Sequence, residues 1–270
     1  HNPRSASPRV PVSTPRIVSA QWVVSPAGPP ALYVVFSSPM DASSLAPQRF
    51  VVALSDGTRQ IPEVASFAPA SESDELRTVA LRLYAGEKDV PAHNPEATEP
   101  QASGAAPPKT SVPVSVTLIG ILHTASGEVV EGLSAAVEAT SEVAKPVHAE
   151  WMMPGPGRCE GYPQAIRLVW SKPLPAGARP WWSGEDPGAS VAAMAGKFVA
   201  TLQTGQQQQP VAFDDIYNEI GGGSHGARVD NVLDLCFDKP ARVGVIEVRS
   251  DGVHPLEPPV SVAVEGISLR

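Results

Sequence analysis

The stretch Arg49–Pro62, RFVVALSDGTRQIP, is answered by Lys197–Pro210, KFVATLQTGQQQQP, at a constant offset that keeps Phe50 with Phe198, Val51 with Val199, Leu54 with Leu202, Gly57 with Gly205 and Pro62 with Pro210. Each copy is an apolar run of β-forming residues, then a glycine where a hairpin needs a positive φ, then a polar run, and so predicts two strands around a tight turn. Upstream, ALYVVFSSPM (Ala31–Met40) matches AIRLVWSKPL (Ala165–Leu174), and SAQWVV around Trp22 matches HAEWMM around Trp151. Downstream, TVALRLY (Thr78–Tyr84) answers NVLDLCF (Asn231–Phe237). Four blocks in one order predict a duplication: an arm at 1–15, a first unit at 16–142 and a second at 145–270, joined through SEVAKP at Ser141–Pro146. Short apolar runs between Gly, Pro, Ser and Asp clusters, about seven per unit, predict an all-β chain of two tandem antiparallel immunoglobulin-like β-sandwiches. Trp22, Trp151 and Trp170, the last in the place of Phe36, are expected in the cores.

The composition agrees. Thirty prolines in 270 residues argue against long helices, because proline lacks the donor that a helix interior needs. Pro39 and Pro173, and Pro62 and Pro210, recur at matching places in the two units, so part of the proline excess is strand punctuation. Much of the rest lies in the arm and in two insertions, one at 85–113 and one at 175–196. The first, AGEKDVPAHNPEATEPQASGAAPPKTSVP, has almost no large apolar residue and reads as a mobile loop. A formal charge of −8 without any basic run excludes nucleic acid as a partner class. No apolar run reaches the roughly 18–20 residues of a membrane-spanning helix. The chain starts at His1 with a polar, proline-rich arm, as a mature or trimmed chain does, and is expected to be exported.

The run FSSPMDASSLAPQRFVV (Phe36–Val52) resembles the bacterial Ig-like domains of S-layer and other surface proteins, in which a strand ends in Phe-Ser-x-Pro-Met-Asp and the next begins at a Phe. SGEVVEGLSAAV (Ser126–Val137) looks like the final hairpin of the same family. The second unit departs from the pattern, with Lys172-Pro173-Leu174 in place of Ser-Pro-Met and no following Asp. The resemblance implies a structural spacer or adhesive module at a bacterial envelope, periplasmic or on the cell surface, without naming a partner; the expected partner is another envelope or surface protein, or a glycan.

No motif adds chemistry. None of the six histidines (His1, His93, His123, His148, His225, His254) lies in a GxSxG or HExxH pattern, and GGGSHG around Ser224-His225 reads as a loop, so the chain is read as non-catalytic. Cys159 and Cys236 fit no zinc spacing; one disulfide is the leading reading, with Cys236 turned outward because Leu233, Leu235 and Phe237 face the core. The adjacent Trp181 and Trp182, on the second insertion, either cover a sheet edge or form an aromatic platform for a glycan or a protein partner. Asp214, Asp215 and Asp230 flank a glycine-rich loop and are candidate calcium ligands, against the alternative of a solvated acidic loop. His1 could chelate copper with a second His brought close by the fold, His123 or His254, or be a cloning remnant.

Overall fold

The computed structural model describes residues 14–25, 28–84, 111–153, 155, 159–175, 196–213, 217–218, 228–239 and 242–269. Among these, regular structure is almost entirely β, with 3-10 turns at Ala42–Ser44, Pro47–Arg49 and Cys159. The first ten strands are β1 (Ile17–Ser25), β2 (Gly28–Phe36), β3 (Phe50–Leu54), β4 (Arg59–Gln60), β5 (Val64–Phe67), β6 (Thr78–Arg82), β7 (Pro113–Leu118), β8 (Leu122–His123), β9 (Val129–Val130) and β10 (Ser134–Ala136). The next ten are β11 (Pro146–Met153), β12 (Gln164–Trp170), β13 (Phe198–Leu202), β14 (Gln207–Gln208), β15 (Ala212–Phe213), β16 (Tyr217–Asn218), β17 (Arg228–Val229), β18 (Val232–Phe237), β19 (Val243–Ser250) and β20 (Pro255–Leu269).

Two sheets, ordered β1-β2-β6-β5 and β10-β7-β3-β4, pack face to face over one buried cluster that takes Leu32 and Val34 from β2, Val79 and Leu81 from β6, Phe50 and Val52 from β3, and Val116 and Leu118 from β7. Period-two alternation explains the choice: in β3, Phe50, Val52 and Leu54 point inward and Val51 and Ala53 do not. The remaining main strands follow one order, β14-β13-β19-β20-β11-β12-β18-β15, in which the long β20 pairs antiparallel with β19 and then parallel with β11. Divided at β20, this order matches the first two sheets strand for strand. The first set has the same crossing in small form, since Glu138, just past β10, bridges Gln21 of β1 in parallel. The second core takes Ile166, Leu168 and Trp170 from β12, Leu233 and Leu235 from β18, Phe198 from β13 and Ile246 from β19.

Several expectations are met at the residue level. Gly57 and Gly205 both turn with φ of 85°, each closing a hairpin, and Gly127 does the same between β8 and β9 with φ of 84°. Phe50 opens β3 with no exposed surface, and Asp41 accepts from the Ser43 N–H at 3.0 Å, capping the turn behind Pro39 and Met40. Others are corrected. The ladders are not all antiparallel. The insertion at 85–113 ends sooner, because Pro113 already belongs to β7 opposite Leu54. His254 to Pro259 do not simply lengthen a turn: β20 starts at Pro255, and the residues between its pairings with Ser250 and Val248 bulge out. The blocks TVALRLY and NVLDLCF match one residue out of step. Val79 and Leu81 face the first core and Leu233 and Leu235 the second, so Val79 corresponds to Leu233, and a one-residue slip would reverse every side chain. Trp151 and Trp170 are buried, whereas Trp22 packs only half-buried against its core.

Candidate functional site

Trp181, Trp182, Asp214, Asp215 and His1 lie outside the described residues. Asp230 does not sit on a solvated loop: it is 2% exposed, and its carboxylate accepts from the N–H of Asn231 and, at 3.1 Å, of Val232. Among the described residues no group of three or more His, Cys, Asp or Glu is placed to hold a metal ion. Cys159 and Cys236 form a disulfide with a Cα separation of 5.2 Å, on the outer face of the β11-β12-β18 sheet, packed with Met152 and Ala165.

That outer face holds the most developed polar site. Residues 149, 151, 166, 168, 170, 233, 235 and 237 point into the sandwich, so their neighbours point out. Cross-strand register sorts the outward side chains into three rows. Met152, Ala165 and Cys236 form the disulfide row; Glu150, Arg167 and Asp234 stand directly opposite one another in the next; His148, Val169 and Val232 form the third. The middle row is a carboxylate, a guanidinium and a carboxylate side by side, the favourable order for cross-strand charges. Among the corresponding residues of the first sandwich, Gln21, Tyr33 and Ala80, there is no charge.

The N-terminal sandwich covers this face. Val18 and Val35, on its own outer side, and Ala70 pack with Val147, Val169 and Val232. Beside them the segment between β5 and β6 supplies Asp74, Glu75 and Arg77. Arg167 grips Asp234 with two parallel bonds of 2.8 Å, reaches the Asp74 carbonyl at 2.8 Å and lies 3.5 Å from the Glu75 carboxyl. Reciprocally, Arg77 crosses to pair with Glu150, donates to the Ser37 carbonyl at 2.6 Å and approaches His148 Nε2 at 3.4 Å. Asn231 adds a neutral crossing, donating to Thr78 Oγ1 at 2.8 Å. Arg77 and Arg167 are 0% and 1% exposed.

Burial and charge act against each other here. Burial opposes the charge of Arg167, but the hydrogen bonds and charge of Asp234, aided by Glu75 and Glu150, raise its pKa above the ordinary value. Arg77 is lowered, by burial above all. Burial alone would raise Glu150; Arg77 and His148 outweigh it and hold the carboxyl below its usual range. Glu75 is pushed up to about 9 by burial and then by the charge of Asp230. Asp230 is pushed up to about 7 by burial, against the N–H bonds of Asn231 and Val232. The cluster joins Asp74, Glu75 and Arg77 of one body to Glu150, Arg167 and Asp234 of the other.

A second polar feature opens on the C-terminal sandwich. A cavity of about 500 Å³ is lined by Gln207, Gln208, Gln209, Asp238, Lys239 and Arg249, with the Lys239 carbonyl held by Gln164 at 2.8 Å.

Neither feature was read from the sequence. Glu150, Arg167 and Asp234 were visible as single charges at outward positions of apolar strands, and only the register unites them. No helix of the described residues is long and apolar enough to cross a membrane.

No protein-family model and no curated protein matches the chain. Solved structures similar to it include the S-layer protein rSbsC(31-844), at 14% identity and a TM-score of 0.30, and surface layer protein SbsC, domains 1-6, at 14% and 0.29. The N-terminal part of the bacterial S-layer protein SbsC follows at 14% and 0.28. Each match covers 94% of this chain, which spans 26%, 26% and 45% of theirs respectively.

Proposed function

We propose that the chain is a non-catalytic, exported module of a bacterial cell envelope. In this reading two tandem immunoglobulin-like sandwiches, 16–142 and 145–270, act as one stiff structural or protein-binding element. The observation that carries it is the clasp of Glu150, Arg167 and Asp234 by Asp74 and Arg77 across the junction. Tandem domains joined by a flexible linker are the default, and a buried charge cluster shared between the two bodies opposes that freedom. The sequence resemblance to bacterial surface Ig-like domains supplies the compartment. Antibody against the full chain should label intact cells of the source bacterium or its periplasmic extract. Labelling confined to the cytoplasmic fraction would overturn the assignment.

The polar cavity favours a second reading, a glycan-binding module, because amides and charged groups arrayed along a cleft match the hydroxyls of a saccharide. On a glycan array, wild-type signal lost in Lys239→Ala/Arg249→Ala would support it, loss in Trp181→Ala would place the glycan on the insertion instead, and no wild-type signal would remove the reading.

A further inference from the structure

The junction holds more acid than base. Its buried carboxyls are Glu75, Glu150, Asp230 and Asp234, against the two guanidiniums of Arg77 and Arg167. Arg77 is engaged by Glu150, and the Arg167 Nε and one terminal nitrogen donate to Asp234. Among the described residues the Glu75 carboxyl receives only the 3.5 Å contact to Arg167, and the charged groups around it are mostly anionic. Its own segment contributes Glu72, Asp74 and Arg77. Facing it are Arg167 on β12, Asp234 on β18, Asp230 just before β18, and Glu150 with His148 on β11. Asp230 in turn feels Glu72, with Arg167 the cation within range. Among the described residues, four buried carboxylates against two guanidiniums cannot all stay ionised in a closed site; Asp230 keeps two backbone N–H bonds, so Glu75, held only at 3.5 Å from Arg167, is the group that takes the proton.

We propose that the junction is a proton-dependent lock: the two sandwiches stay clasped while the buried Glu75 carboxyl holds its proton and separate when the proton is lost. The proposal rests on the stiff-module reading above. Glu75 belongs to the N-terminal sandwich and Arg167, Asp230 and Asp234 to the C-terminal one, so opening returns Glu75 to water. The sign follows from that transfer. In the open chain Glu75 titrates near 4.5, and in the closed one near 9. The closed form therefore binds the extra proton between these values, and the contribution of Glu75 to clasping is complete below about 4.5 and is lost as the pH rises through about 9. Asp230, displaced from 3.8 to about 7, acts in the same direction over the lower part of that window. Glu150 acts oppositely, because its lowered pKa makes clasping fail as the pH falls below the usual carboxyl range. One proton released per opening shifts the open-to-closed ratio by about tenfold per pH unit.

The test is small-angle X-ray scattering of the full chain at pH 5, 7 and 9, for the wild type and for Glu75→Gln, with circular dichroism to verify the strands at each pH. Gln keeps the shape and the neutral state. The wild type should be compact at pH 5 and extended and heterogeneous at pH 9, and Glu75→Gln compact at both. A wild type equally compact at pH 5 and 9 would overturn the lock and leave the stiff module standing. A chain extended at every pH would overturn both. Opening of Glu75→Gln at pH 9 alongside the wild type would show that Glu75 does not carry the proton.

Discussion

Arg167 illustrates how much one side chain can decide. It is the only cation in its row, and it neutralises Asp234 while reaching Asp74 and Glu75 across the junction. Removing one partner of a buried ion pair leaves the other charge stranded, at a cost of about 3–5 kcal/mol, whereas replacing both by apolar groups of similar size is often neutral. Arg167→Met is therefore expected to lower unfolding stability by about 3–5 kcal/mol in urea titrations, and adding Asp234→Leu to recover part of the loss. A loss under 1 kcal/mol for Arg167→Met would mean that the pair is solvated. In the sequence Arg167 is a lone basic residue in AIRLVW, where a solvated outward position is the natural reading. What sequence does not carry is register, and register is what sets Glu150, Arg167 and Asp234 opposite one another.

At the scale of elements, the strands and turns were the legible part. Alternation in Phe50–Leu54 and in Val232–Phe237 correctly divides core-facing from outward residues, which is why Leu233, Leu235 and Phe237 enter the core and Cys236 turns away. The one-residue misalignment of Thr78–Tyr84 with Asn231–Phe237 has a simple origin: Val79, Ala80 and Leu81 are apolar on successive positions and buried on both faces, and such a run carries no phase of its own to align. The disulfide ties the residues before β12 to β18 across a sequence separation of 77 residues. Closing a loop of that size stabilises by about 2–4 kcal/mol, so Cys159→Ala/Cys236→Ala should lose that amount in denaturant titrations. Because Met152, Ala165 and Cys236 form a row separate from the charged one, the same variant should keep the compact scattering profile of the wild type at pH 5. Gly155 is fixed by the same corner: a Cβ there would lie 2.3 Å from the Cys159 carbonyl oxygen, and Gly155→Ala should slow oxidative refolding, followed by free-thiol titration. An unchanged refolding rate would show that the corner yields.

For the whole molecule, the internal repeat suggested two similar bodies but was silent on how they meet. The outer faces of the two β-sheets differ where the repeat is otherwise faithful. Glu150, Arg167 and Asp234 occupy the places of Gln21, Tyr33 and Ala80, and the charged set is the one that the other sandwich covers. The segment between β5 and β6 meets that charged set with Asp74, Glu75 and Arg77. The central claim is that this clasp makes one rigid body of two sandwiches. Backbone ¹⁵N relaxation of the full chain at pH 5 tests it most directly. Strand residues of 16–142 and of 145–270 should report one common rotational diffusion tensor with the correlation time of the whole chain; two separate tensors, each with the shorter time of a single sandwich, would contradict it.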